Sequence, residues 1–168
     1  YYAWLFVLQA GAVGAFLSFD VILFYAFFEL TLVPAFFLIG HWGNGSGRRD
    51  AARKFFLYTL AGSLLTLVGI VGVVLTNPVT ISTPAGPVST YTFALPDLMV
   101  SVQQNLLQPH AEALAGRPDA LAAKHATQFW LFLALLAGFA VKTPLVPFHT
   151  WLPAAYNEAP AGVTVLLS

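Results

Sequence analysis

Glu29 and Lys142 are the residues whose type and setting can do chemistry. Each falls inside an apolar run long enough to cross a membrane, 21–40 around the glutamate and 127–151 around the lysine. A charge at the centre of a bilayer costs about 2.5–3.5 kcal/mol on insertion scales. Burial disfavours both ionised forms, and an opposite charge nearby restores them. A glutamate and a lysine that meet in a dry bundle therefore control each other's proton. Lysine suits such a relay because burial tunes its proton affinity readily. An inert ion pair joining two helices is the plainer reading, but desolvation makes buried pairs poor stability devices. Intramembrane ionisable residues mark ion pathways more often. The sequence shows two charges; it does not show their distance.

The backbone around the lysine supports the relay. In "GFAVKTPLVPFHTWLP" (138–153), Pro144 cannot donate to the carbonyl of Ala140, nor Pro147 to that of Thr143. Non-helical backbone at membrane depth is tolerated only inside protein or beside water. The expectation is a proline-broken helix with a hydrated cavity reaching Lys142. Pro34 similarly frees the carbonyl of Leu30, next to Glu29. His149, two turns past Lys142, suits proton passage toward the cytoplasmic side, or it anchors the helix end at the interface. Glu158 in "YNEAP" reads as a cap for a helix starting near Ala159, in preference to a proton-uptake group. His41 reads as interfacial, and His110 and His125 as loop residues. No His, Asp and Glu spacing resembles a metal site, and there is no phosphate loop.

The elements that must position these residues are membrane spans. The chain has 168 residues, 58% hydrophobic and 8% charged, where a soluble domain has about a quarter charged. Net charge is zero, so nucleic acid is not an expected partner, and without cysteine there are no disulfides or thiolate sites. Spans are expected at 2–19, 21–40, 55–75 and 127–151, with another opening at 159. Residues 76–126 read as an extramembrane loop holding one or two short surface helices. Arg48, Arg49, Arg53 and Lys54 lie in the short loop 43–54, so by the positive-inside rule that loop is cytoplasmic and 76–126 lies opposite. Trp4, Trp42, Trp130 and Trp151 fall near span ends, as in an aromatic belt. The pairs Gly11–Gly14 and Gly69–Gly72 suit close helix packing. Both ends look cut, so the chain is expected to be one part of a longer transmembrane domain.

"FFELTLVPAFFLIGHWG" (27–43), "RRDAARKFFLYTLAGSLL" (48–65) and "FAVKTPLVPFHTWLPAAYNEAP" (139–160) resemble the antiporter-like subunits of respiratory complex I, the M type (chain 4) most of all. The L and N types and the Mrp antiporters usually lack the proline of "ELTLVP". The resemblance covers nearly everything except about 77–126. It implies an all-α, polytopic bundle of inverted repeats, each with a broken helix. It implies that Glu29 is the family's intramembrane glutamate and Lys142 its broken-helix lysine. It also implies a proton-translocating NADH:quinone oxidoreductase subunit in the bacterial inner (plasma) membrane. Its partners would be other membrane subunits, lipid and protons. The flavin, iron–sulfur clusters and quinone would reside in those other subunits, with no cofactor in this one. Two positions depart from the usual "WLPDAHxEAP": Ala154 replaces an acid and Tyr156 a histidine. These departures and the long loop after the third span suggest a divergent lineage or a complex with another electron donor. The rival readings are a Mrp-type antiporter or membrane-bound hydrogenase subunit, and a purely structural membrane subunit.

Overall fold

The computed structural model describes residues 1–84, 86–114, 116 and 118–167, with side chains at 82, 83, 106–114, 118 and 120 excepted. Helix α1 (Tyr2–Leu17) is followed by α2 (Val21–Leu30). Asp20, which interrupts the first apolar run, caps α2: its Oδ1 accepts the amides of Ile22 and Leu23, both at 2.9 Å. A one-residue interruption at Thr31 separates α2 from α3 (Leu32–Trp42). Helix α4 (Arg48–Thr76) is the longest, at 29 residues. It starts earlier than the expected 55 because Arg48, Arg49, Arg53 and Lys54 continue the helix beyond its apolar part. At about 1.5 Å per residue it exceeds the ~30 Å hydrocarbon thickness by two turns or more.

The stretch 76–126, expected as an extramembrane loop with one or two short surface helices, holds more regular structure than that. It contains a hairpin of β1 (Val79–Thr83) and β2 (Gly86–Thr90), antiparallel with Val79 opposite Thr90 and Thr83 opposite Gly86. Gly86 takes φ 122°, a conformation open to glycine. Helix α5 (Leu95–Leu114) follows, and α6 (Pro118–Lys142) begins within the same stretch. The start of α5 is tied to the α1–α2 connection by Val21 N–H to Phe93 O (2.9 Å) and Leu95 N–H to Phe19 O (2.7 Å). In the expected span 127–151 the helix starts earlier, at Pro118, and stops at Lys142, just before the prolines. A turn, a 3-10 helix (Phe148–Thr150), α7 (Trp151–Glu158) and α8 (Ala161–Leu167) complete the chain.

Among the described residues three helical stretches are long and apolar enough to cross a membrane: Val21–Trp42, Arg48–Thr76 and Leu121–Lys142. Helix α1 is apolar but has 16 residues, about 24 Å. The core gathers at one end of the bundle, where Leu38, Ile39, Phe55, Trp151, Ala155 and Val163 are buried together. The outward faces are apolar too: Phe16 is 92% exposed and Val68 62%.

Helices α4 and α6 touch along most of their shared length because glycines line the contact. A Cβ at Gly62 would sit 2.7 Å from Val141 Cβ, and one at Gly69 would sit 2.7 Å from Leu135 Cγ. From the other side, a Cβ at Gly138 would sit 2.6 Å from the Gly62 carbonyl. Lipid supplies no hydrophobic drive between helices, so this close approach is what holds them together. It also fixes where Lys142, one turn past Gly138, meets the bundle. Gly138→Val in the full-length protein is expected to destabilise it by about 1–3 kcal/mol through overpacking, read as a lower thermal midpoint in detergent; an unchanged midpoint contradicts this packing.

Candidate functional site

The end of α6 is decided by where its carbonyls find donors. Thr143 N–H still reaches Phe139 O at 2.8 Å. Pro144 has no N–H for Ala140, so Leu145 N–H reaches back to that carbonyl instead, at 2.8 Å. That diverts the amide which would serve Val141. The Val141 carbonyl is taken by the indole Nε1–H of Trp151, at 2.9 Å and buried. Trp151 is 3% exposed and packs on Phe55 of α4 with ring centroids 5.4 Å apart. Phe148 N–H bonds Leu145 O (2.6 Å), and Thr150 Oγ1 donates to Tyr58 Oη on α4 (3.1 Å). The loop after Lys142 is thus folded back on the bundle by Trp151 and Tyr58. The Val146–Pro147 peptide within it is cis.

Lys142 points from this helix end across to α2. Its Nζ lies 3.4 Å from the carbonyl oxygen of Phe28 and 3.6 Å from the centroid of the Phe28 ring. The same carbonyl accepts from Thr31 Oγ1 at 2.7 Å, beside the interruption between α2 and α3. The Phe28 ring is itself placed by Phe24 (5.5 Å) and Phe139 (6.3 Å). A carbonyl dipole and a ring face both attract a cation, and desolvation strengthens the ring's share. Glu29 is the next residue along α2. Glu29 and Lys142 form no ion pair; among the described residues the ion pair is Arg53–Asp50, at 3.5 Å on the surface. Glu29 Oε1 is buried and has no hydrogen-bond partner among the described residues.

A cavity of about 560 Å³ opens over the lysine. Its walls are mostly apolar, and its polar groups are Thr31, Thr59, Lys142 and Thr143. Thr59 and Thr143 donate to carbonyls of their own helices, Phe55 and Phe139, both at 2.7 Å. Their oxygens keep lone pairs that can accept from a donor in the cavity.

The other residues singled out from the sequence fall elsewhere. His149 lies in the 3-10 turn with Nδ1 buried and unpartnered among the described residues, and it does not bond Lys142. Glu158 does not cap α8; the Pro160 carbonyl takes the Val163 and Thr164 amides there. Glu158 ends α7, and its carboxylate packs on Gly45 and Gly47, where a Cβ would collide or crowd it. Its own carbonyl accepts from Asn44 N–H at 2.8 Å. The carboxylate thus meets the positive end of α4, an arrangement that favours an anion. His41 lies between Phe37 and Trp42, at 5.7 Å from each ring. The side chains of His110, Glu112 and Arg117 lie outside the described residues. The roles of Trp151 and Phe28 are not visible in the sequence. "PxxPFHTW" signals a tryptophan just past a proline turn, but nothing in it says which carbonyl needs an indole.

Apolar spanning helices, one of them ending at a cation docked on the backbone of another, define a polytopic membrane bundle with a charged group inside it. Residues 18–168 match the family NADH:quinone oxidoreductase/Mrp antiporter, TM, and the chain belongs to it. It is 36% identical over 166 residues to F(420)H(2) dehydrogenase subunit M of Methanosarcina mazei, covering 99% of this chain and 28% of that protein. It is 39% identical over 169 residues to NADH-quinone oxidoreductase subunit M of Rhodobacter capsulatus, covering 96% and 28%. Among solved structures it is similar to a chain of respiratory complex I from Thermus thermophilus with bound NADH, at 32% identity and a TM-score of 0.67, covering 95% of this chain and 28% of that one. The chain therefore spans a little over a quarter of the length of these relatives.

The indole bond of Trp151 makes a specific demand. Trp151→Phe keeps a ring on Phe55 but orphans the buried Val141 carbonyl, a loss of about 1–3 kcal/mol. The full-length protein is expected to show faster amide hydrogen exchange across 143–150 and a lower thermal midpoint. Unchanged exchange in that segment contradicts the clamp.

Proposed function

We propose that this chain is part of a proton-translocating membrane subunit of an NADH:quinone oxidoreductase-type complex, with Glu29 and Lys142 as its relay. The observation that carries the reading is the lysine docked on Phe28, one residue from a buried and under-bonded carboxyl. Lys142 has two alternative partners within one helical residue of each other. On Phe28 it faces a carbonyl and a ring, which attract an ammonium but tolerate a neutral amine. Against Glu29 it would face a full negative charge, which holds the proton firmly. Movement between the two is therefore a change in proton affinity.

Redox energy released in other subunits alters the charge beside Glu29, and this shifts the lysine between its partners. Lys142 then passes its proton toward the bundle centre and is reloaded from the side of the folded loop, with His149 a candidate donor there. A membrane potential of 100 mV is worth about 2.3 kcal/mol per charge moved fully across. A carbonyl-for-carboxylate exchange in a dry site is of at least that scale. The flavin, iron–sulfur centres and quinone are assigned to partner subunits. The loop at 43–47 and the basic start of α4 face the cytoplasm in this reading. The relatives include both an NADH-quinone oxidoreductase and an F(420)H(2) dehydrogenase, so the reading fixes the coupling chemistry and leaves the electron donor open.

The test is Lys142→Met and Glu29→Gln in the assembled complex in membrane vesicles. Each is expected to lower proton pumping about tenfold, the size of a barrier raised by ~1.4 kcal/mol, with assembly intact on a native gel. Normal pumping and quinone reduction in an assembled variant would mean the charges serve assembly alone.

A further inference from the structure

A second polar hollow lies away from the lysine, where α3 ends and α4 begins. It has a volume of about 220 Å³ and is lined by Phe36, His41, Arg48, Arg49 and Arg53, with Gly40 and Ala52 at its base. The hollow exists because those last two residues are small. A Cβ on Gly40 would already meet Ala52 Cβ at 3.4 Å, so the two helices close below and leave room above. Three arginines, Arg48, Arg49 and Arg53, contribute to its wall. Arg48 spends one donor on the Gly43 carbonyl, at 3.2 Å. Arg53 meets Asp50 at 3.5 Å with both side chains largely in solvent, 70% and 87% exposed. Asp50 does not line the hollow, and among the described residues no other carboxylate does. Asp50 thus meets Arg53 from the solvent side, and the wall of the hollow itself carries arginines without a carboxylate.

Its depth in the membrane identifies what would compensate it. The two apolar spans Val21–Trp42 and Arg48–Thr76 meet at this hollow, with Trp42 beside it and 41% exposed, the position of an interfacial tryptophan. Directly below Arg53 on the same face of α4 come Leu57, Leu64 and Val68, at helical spacing and 64%, 52% and 62% exposed. A basic cup thus stands over an apolar track running toward the bilayer centre. Basic pockets between membrane helices recognise anionic headgroups in this way, and arginine forks match phosphate oxygens in pairs.

We propose that this hollow binds the phosphate of an anionic phospholipid, with Arg48, Arg49 and Arg53 on the headgroup and the acyl chains along Leu57, Leu64 and Val68. The shared chemistry is a phosphate anion, and the track of exposed leucine and valine is what favours lipid over free phosphate. The site is separate from Lys142 and does not depend on how protons move.

The test uses the full-length protein in its complex, exchanged into nanodiscs of phosphatidylcholine with or without one fifth phosphatidylglycerol. Retained phosphatidylglycerol is counted after transfer to detergent, in the wild type and in Arg49→Gln/Arg53→Gln. The wild type is expected to retain it and the variant to lose it at least several-fold, with Arg49→Lys/Arg53→Lys intermediate. A second readout needs no change in the hollow. The Trp42 emission, taken as the difference between the wild type and Trp42→Phe, should be quenched more by phosphatidylglycerol with brominated chains than by brominated phosphatidylcholine. Equal retention by wild type and Gln variant, or equal quenching by the two lipids, overturns the proposal. Displacement of the retained lipid by millimolar inorganic phosphate in an uncharged bilayer would also overturn it, by showing a free-anion site.

Discussion

The ammonium of Lys142 sits in an apolar bundle with a carbonyl 3.4 Å away and an aromatic ring 3.6 Å away as its nearest compensation. A cation in hydrocarbon must be given electron density or lose its proton, and much of the local structure follows from that constraint. The carbonyl belongs to Phe28, next to the interruption at Thr31 that divides α2 from α3. The helix carrying the lysine stops at the lysine, so its side chain leaves from an end and not from a packed flank. The glycine contacts of α4 with α6 bring that end close enough to α2 for the reach to succeed. Trp151 keeps the end from unravelling by satisfying the Val141 carbonyl. Each of these features places one atom, Nζ of Lys142, on one residue, Phe28.

Prolines shape the backbone just after the lysine, and a glutamate ties down the segment that follows. Pro144 removes the amide that Ala140 would use, and the resulting shift of Leu145 leaves Val141 for the indole to collect. The carbonyls of Ala140, Val141 and Leu145 thus all find donors where the helix breaks, as non-helical backbone at membrane depth requires. Further along, Glu158 ties α7 to the glycine loop 43–47 and sets its carboxylate at the start of α4. The loop before α4 and the loop after α6 are in this way parts of one end of the molecule.

The membrane character, the three long spans and the two intramembrane charges were legible because hydropathy and isolated charges are local signals. Asp20 was visible only as an interruption, and its role as the α2 cap needed the backbone. The extent of α6 was not legible. Residues 118–126, from Pro118 to the polar "AAKHA", have no apolar signal of their own, and the helix is carried through them from the span that follows. The hairpin 79–83/86–90 was hidden by the prolines and glycine of "TNPVTISTPAGPVST", although "VTIST" alternates with the period of a strand. The contact of Lys142 with Phe28 was not legible. The sequence pointed to Glu29, and the neighbouring Phe28 offers a backbone oxygen and a ring face that no residue pattern advertises.

Thermodynamic coupling between the two charges tests this account most directly. In a double-mutant cycle on proton pumping by the assembled complex, Glu29→Gln, Lys142→Met and the double variant are compared with the wild type. If the carboxyl governs the lysine's proton, the double variant loses little more than either single one, an interaction well above the ~0.5 kcal/mol at which independent sites add. Losses that simply sum would show that residues 29 and 142 act without regard to each other, and would contradict the account.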